Sequence, residues 1–359
     1  MRIHWEGEAR SRRGGGAKGA AVTAEGTILT ARTARVGDGG TGVICSASED
    51  GGRTWRDRGV IASDDDRATD IGDGCLLARA NGELWYSYRR NRLHGKWAAN
   101  PRFAIEVAAS RDGGATWRPH STVALARGAW RGLWSSFLLE RRDGSVTCFY
   151  DDEDTPAARG FPRHQWVTAK TWDERRGVWG GAVTVSRAHD PAHLSRDGMP
   201  SVVEGADGRL FCALESVRTS APHAGLVRWV ESAGGAARDD WNWRRTERAV
   251  VHEAPRLGHS TFAPWVTRLT DAALICVFGT NAGREKPDAP GTPAHLLNLD
   301  IAYVLSEDDG RTWSREAVPL YAGSHRCYMP QVVTLGGNRL ACLLLDFKAG
   351  FRVVLGSYR

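Results

Sequence analysis

Short apolar runs recur along the chain in pairs, each pair separated by a polar turn that contains a glycine. This is the pattern of antiparallel hairpins. The turns read Ala24-Glu-Gly26-Thr-Ile-Leu, Asn81-Gly82-Glu-Leu-Trp, Asp143-Gly144-Ser-Val-Thr and Asp207-Gly208-Arg-Leu-Phe, with weaker versions at Thr270-Asp271-Ala-Ala-Leu-Ile and Gly337-Asn338-Arg339-Leu-Ala. A second signal keeps step with them. The octapeptide Ser-x-Asp-x-Gly-x-Thr-Trp begins at Ser48, Ser110 and Ser306, and decayed copies occur at Thr171-Trp172-Asp173 with Gly177 and Trp179, and at Ser232 with Asp240 and Trp241. In such a turn the Asp caps loop N–H groups, the Gly takes a left-handed conformation and the Trp plugs the hairpin from beneath. Together the two signals divide the chain into six units with a period of roughly 60 residues, each with about four short strands. The expected fold is all-β, a single six-bladed β-propeller of four-stranded antiparallel blades over residues 1–359.

Composition narrows this picture. A chain of 359 residues could form two average domains, but it contains no Pro/Ser-rich linker or low-complexity tract, and radial repeats often exceed that size as one body. Met1 to Arg13 hold no apolar stretch of signal-peptide length, and no run is long enough to cross a bilayer. The expectation is a cytoplasmic protein, or a secreted one from which a leader has been removed, without a membrane partner. Of the seven cysteines, Cys148, Cys212, Cys276 and Cys342 occupy the same place in successive repeats, where radial geometry holds them apart as reduced core thiols. His189 and His193 are the nearest approach to a metal pair, but they lie in a Pro-containing loop, so no metal or cofactor is expected. The net charge of +6 comes from arginines scattered through the repeats without a basic run. That distribution fits an acid-binding cleft better than nucleic acid.

Strand order then sorts residues by face. If the Gly turns join the first and second strands of each blade and the Asp-containing turns join the third and fourth, both lie on one side, and binding groups are expected on the other. That rim carries Arg32, Arg35, Arg67, Asp70, Asp73, Arg89 and Arg90. It continues with Trp134, Tyr150-Asp151-Asp152-Glu153, Arg196-Asp197-Gly198-Met199-Pro200, Glu215, Arg218, Arg228, His259, Asn281, Arg326, Tyr328 and Asp346. Two carboxylates in a concave polar mouth are what glycoside hydrolysis needs, one to protonate the leaving oxygen and one to attack or stabilise the sugar cation. Glu153 and Glu215 are the expected pair. Asp151 and Asp152 would raise the pKa of Glu153 by repulsion, and Arg218 or Arg228 would keep Glu215 ionised. Trp134, Trp166 and Tyr328 could form a sugar platform, although most of the 15 tryptophans must be turn plugs or core. The plainer alternative is that both glutamates are rim carboxylates in ordinary ion pairs.

These residues resemble the Asp-box, or BNR-repeat, six-bladed propellers of the sialidase-like superfamily, over nearly the whole chain. Sialidases hold the substrate carboxylate with three arginines and use a Tyr nucleophile activated by a Glu. On that resemblance Tyr328-Met-Pro is similar to the catalytic Tyr strand, Glu215 to the activating Glu, and Arg228 to the arginine after it. Gly14-Gly-Gly-Ala-Lys18 and Leu296-Leu297-Asn298 lack the arginines expected there, which removes two arms of the clamp. Exo-α-1,5-L-arabinanases fit the middle of the chain better. Their pattern resembles Trp134-Ser-Ser-Phe137, Tyr150-Asp-Asp152-Glu153, Arg196-Asp-Gly198-Met199-Pro200 and Leu214-Glu215, with Ser135 where a Glu would be expected. The resemblance implies an exo-acting retaining glycoside hydrolase that uses Glu153 and Glu215 on an oligosaccharide or polysaccharide. Arg35, Arg67, Asp73, Trp134, Asp152, Arg196, Arg218, Arg228, His259 and Arg326, all on the expected rim, are the expected substrate contacts. An exo-α-sialidase with a rebuilt clamp and catalytic Tyr328, and a non-catalytic glycan-binding propeller, are the alternatives.

Overall fold

The computed structural model describes residues 1–7, 10–12, 19–37, 40–92, 102–127, 132–153, 164–188, 194–218, 225–232, 243, 248–288 and 297–359. Every named element among them is a β-strand. Two compact units are distinguished: Gly14–Val183, and Met1–Arg13 together with Thr184–Arg359.

In the unit Gly14–Val183, Ala20–Val22, Ile28–Val36, Gly40–Ser48 and Arg56–Asp64 form a four-stranded antiparallel meander. Thr69–Ala78, Leu84–Arg92, Arg102–Ser110 and Arg118–Arg127 form the next. Leu133–Glu140, Val146–Glu153 and Gln165–Asp173 follow, and the short strand Val178–Trp179 folds back on the last of these. The other unit holds Ser195–Glu204, Leu210–Arg218, Gly225–Glu231 and Ala249–His252, then Thr261–Arg268, Leu274–Thr280, Asp300–Ser306 and Val318–Tyr321. Its last sheet is Cys327–Thr334, Arg339–Asp346 and Gly350–Tyr358, with the N-terminal strand Ile3–Trp5 paired along Gly350–Tyr358 as a fourth strand. The sequence repeat does not announce that strand, because Ile3-His4-Trp5 precedes the first Gly turn.

The turns follow the chemistry of their residues. Gly26, Gly82, Gly144 and Gly208 have φ of +84°, +86°, +81° and +80°, a region closed to most side chains, and Asn338 takes the role in the last sheet at +60°. In the octapeptide turns Asp50 accepts the N–H groups of Arg53 and Thr54 and the Thr54 hydroxyl, while the Ser48 hydroxyl accepts from Gly52. Asp112 and Asp308 repeat this with Thr116 and Thr312. Those donors depress all three carboxyls below the usual range, outweighing the opposing effect of burial at Asp50 and Asp308. Of the decayed copies, Asp173 still accepts the Arg176 N–H, whereas Asp240 and Trp241 lie outside the described residues.

Packing occurs between the faces of successive sheets. Leu29 and Val43 meet Ile71 and Tyr86, Trp85 and Ile105 meet Leu138 and Cys148, and Phe211 and Trp229 meet Leu274 and Phe278. Cys148, Cys212, Cys276 and Cys342 stand opposite Leu138, Val202, Val266 and Val332, the same ladder position in four sheets. All seven cysteines are free and buried, and burial pushes the Cys276 and Cys342 thiols well up.

One further feature repeats. In the first strand of five meanders the register slips, between Gly72 and Cys75, Leu133 and Ser136, Gly198 and Ser201, Phe262 and Trp265, and Tyr328 and Gln331. The extra residue has positive φ at Asp73 (47°), Met199 (52°), Ala263 (50°) and Met329 (51°). Such bulges bend a strand and re-aim its side chains, and they are concentrated at functional rims.

Candidate active site

In the unit Gly14–Val183 the bulges organise a line of polar contacts. Arg89 stands across from Gly72, donates from Nε to Asp70 at 2.7 Å, and forms an ion pair through Nη1 with the bulge residue Asp73. Its guanidinium carbon lies 5.6 Å from the ring centre of Trp134, the equivalent bulge residue one sheet on. Trp134 Nε1–H then donates to Glu153 Oε2 at 3.0 Å. Asp152 is buried opposite Leu133 and Trp166, and strand alternation sends it to the other face from Glu153. Burial lowers the pKa of Lys170, and the negative charge of Asp152 partly opposes that. Arg35 and Arg67 are exposed, Arg67 in the turn before Thr69–Ala78. Arg32 is held by Asp57 at 2.6 Å, and Arg90 bridges Asp64 and Glu106 at 2.6 and 2.9 Å.

In the unit containing Thr184–Arg359, Glu215 stands opposite Gly198, beside the Met199 bulge. Its Oε2 accepts the N–H of Ala263 at 2.8 Å, so the bulge of one sheet orients a carboxylate of the preceding one. Met199, Ala263, Leu297, Leu299 and Tyr328 form one buried apolar cluster, with Phe262 and Met329 packed on it. Glu215 is thus a half-buried carboxylate with a fixed donor, bordered through Ala263 by an apolar wall. Such a group is suited to act as a general acid, a base or a nucleophile.

The remaining expected residues divide. Arg196 lies on the strand face of Glu215, since Arg196 pairs with Val217 and Gly198 with Glu215. Arg228 does not. It stands opposite Leu214, on the other face, and its Nη1 donates to the Arg248 carbonyl at 2.8 Å, so it is not the cation expected beside Glu215. Arg218 ends its strand, and its side chain lies outside the described residues, as do His189 and His193. His259 is buried with Nε2 3.0 Å from the Arg284 carbonyl, which ties it to the loop after Leu274–Thr280. Arg326 immediately precedes the strand Cys327–Thr334, and Tyr328, within that strand, is only 7% exposed.

Sequence reasoning missed Arg248, whose Nη1 reaches Asp197 Oδ2 at 2.6 Å and Ser195 at 3.0 Å, while Asp197 has no exposure at all. Nothing periodic marks Arg248 in the sequence. The pairing joins a fully buried carboxylate to a partly buried guanidinium, an ion pair of the kind that fixes a strand end.

Asp346, also on the expected rim, is fully buried and accepts from Ser324 N–H at 2.9 Å, the Ser324 hydroxyl, and the N–H groups of Lys348 and Ala349 at 2.9 Å each. Burial opposes its ionisation, but these donors prevail and bring the carboxyl down to about 2. A folded-state pKa below the unfolded value of 3.8 stabilises the fold above that value, and the stabilisation is lost as pH falls through about 2. Urea titrations are therefore expected to show wild type losing on the order of 2 kcal/mol between pH 5 and 2 that Asp346→Asn, already weaker at pH 7, does not lose. Parallel profiles for the two proteins would contradict this.

The fold is shared with solved structures. A protein of unknown function from Dyadobacter fermentans superposes with a TM-score of 0.70 at 14% identity, covering 99% of both chains. A variant of an α-L-arabinofuranosidase from Fusarium graminearum, in complex with an iminosugar inhibitor, gives 0.65 at 16% identity over 94% of this chain and 92% of that one. An α-L-arabinanase from Penicillium chrysogenum, complexed with arabinobiose, gives 0.58 at 15% identity over 95% and 97%. No family model matches the sequence, and comparison with curated proteins gives no significant match. The fold is therefore an all-β propeller of four-stranded antiparallel blades, and propeller glycoside hydrolases are among its structural neighbours.

Proposed function

We propose that the protein is an exo-acting, retaining glycoside hydrolase on a six-bladed sialidase-like propeller, releasing a non-reducing-end sugar from an arabinan-type glycan. Glu153 and Glu215 are its catalytic carboxylates in this reading. The observation that carries it is Glu215, a half-buried carboxylate fixed by the Ala263 N–H at the edge of an apolar wall. Trp134 orients Glu153 in a comparable way. One carboxyl protonates the glycosidic oxygen as the C–O bond breaks, and the other carboxylate bonds to the anomeric carbon. Water, deprotonated by the first group, then releases the sugar with net retention. The neighbours crystallised with arabinobiose and an iminosugar support the choice of sugar class, and the two arginines missing from the sialidase clamp count against a sialic acid.

The test is a screen of the purified protein on arabino-oligosaccharides, sialosides and aryl glycosides, with product anomers followed by NMR. Release of terminal arabinose with retained configuration is the expected result. Sialic acid release alone would transfer the assignment to the sialidase reading and to Tyr328 as nucleophile, and inactivity on every substrate would leave a glycan-binding propeller.

A further inference from the structure

The turn after Arg339–Asp346 presents an aromatic side chain that is not one of the rim residues expected from the sequence. Phe347 is 36% exposed, among the large apolar side chains most open to solvent, yet its backbone is fixed on both sides. Its N–H donates to the Arg326 carbonyl at 3.0 Å, and the next two N–H groups are held by the buried Asp346 carboxylate. The ring lies 6.4 Å from that of Tyr328, at an interplanar angle of 25°. Tyr328 in turn packs in the cluster containing Met199 and Ala263, and the Ala263 N–H binds Glu215. These contacts link Glu215, Ala263, Tyr328 and Phe347, with each member held by a hydrogen bond or by packing. An unconstrained surface Phe would need none of this fixation. A rigid, solvent-facing ring alongside a second ring is the arrangement that takes the C–H face of a sugar, because little order remains to be lost on binding.

We propose that Phe347, backed by Tyr328, is a specificity-determining platform for the sugar unit adjoining the one held at Glu215. The position suits a neighbouring unit because the Phe347 ring stands 6.4 Å from that of Tyr328, which itself packs in the apolar cluster that contains Ala263. This rests on the glycoside hydrolase reading, so its test separates the two. Kinetics of wild type, Phe347→Ala and Phe347→Trp are compared on an α-1,5-linked arabino-oligosaccharide and on an aryl α-L-arabinofuranoside, which has no second sugar. Phe347→Ala is expected to raise KM for the oligosaccharide about tenfold with kcat and the aryl-glycoside kinetics unchanged, and Phe347→Trp to restore the wild-type value. Equal losses on both substrates, or no loss on either, would overturn the platform and leave the hydrolase standing. If wild type cleaves neither substrate, the hydrolase reading fails, and calorimetric titration with the same oligosaccharide decides the platform. Weaker binding by Phe347→Ala than by wild type upholds it, and equal or undetectable binding by both removes it.

Discussion

Glu215→Gln is expected to lower kcat on the arabino-oligosaccharide by at least two orders of magnitude, with KM within a few-fold of wild type and an unchanged melting temperature. The geometry makes this substitution a clean one. Glu215 is tied by accepting the Ala263 N–H, and an amide oxygen in the same place can accept it equally well, so the Ala263 bulge and the apolar cluster around it keep their form. What is lost is the negative charge and the exchangeable proton, the two properties on which a nucleophile or an acid/base depends. Losing general acid/base assistance typically costs a factor of 10² to 10⁴, and losing a nucleophile costs more. The same variant sorts the role of the group. If Glu215 is the acid/base, aryl glycosides with acidic leaving groups should be much less affected than the oligosaccharide, because departure then needs no proton. If it is the nucleophile, both substrates should fail alike. A Glu215→Gln enzyme within tenfold of wild type on both would remove Glu215 from the mechanism.

How much of this could be read in advance follows from how local each interaction is. The turns of Asp50, Asp112 and Asp308 were legible because donor and acceptor lie within a few residues of each other, so the motif and the hydrogen bonds are one object. The ladder position of Cys148, Cys212, Cys276 and Cys342 was legible because it is counted from a Gly turn. Interactions across long connections were not. Whether Arg228 shares a face with Glu215 depends on the register of Gly225–Glu231 against Leu210–Arg218, and a shift of one residue reverses the answer. Arg248 meets Asp197 across 51 residues, and Ile3–Trp5 pairs with the far end of the chain, neither with a sequence pattern to mark it. The bulges are an intermediate case. Met199-Pro200, Ala263-Pro264 and Met329-Pro330 share a proline after the positive-φ residue, a visible hint, but Asp73-Gly74 and Trp134-Ser135 conceal the repeat.

The second large effect concerns which acid on the strand Val146–Glu153 does chemistry, and here ladder position and side-chain contact point to different residues. Counted from the bulge, Asp152 is the equivalent of Glu215, for Asp152 pairs with Leu133 as Glu215 pairs with Gly198. Glu153 is one residue further on, and alternation turns it to the opposite side. Contact favours Glu153. It is half-buried and takes the Trp134 Nε1–H from the bulge, and Trp134 sits under the Arg89 guanidinium, so its orientation is set by side chains from two sheets. Asp152 is buried with Lys170 as a charged neighbour, an environment that stabilises a fold. Glu153→Gln is therefore expected to reduce kcat a hundredfold or more without lowering the melting temperature. Asp152→Asn should lower the melting temperature by several degrees while keeping kcat within about tenfold. Trp134→Phe, which removes the indole N–H together with part of the ring, should lower the kcat of the wild type and leave that of Glu153→Gln unmoved, since the donor acts through the carboxylate it orients. The opposite ranking, with Asp152→Asn inactive and Glu153→Gln close to wild type, would assign the chemistry by ladder equivalence and make Glu153 a partner of Trp134 alone.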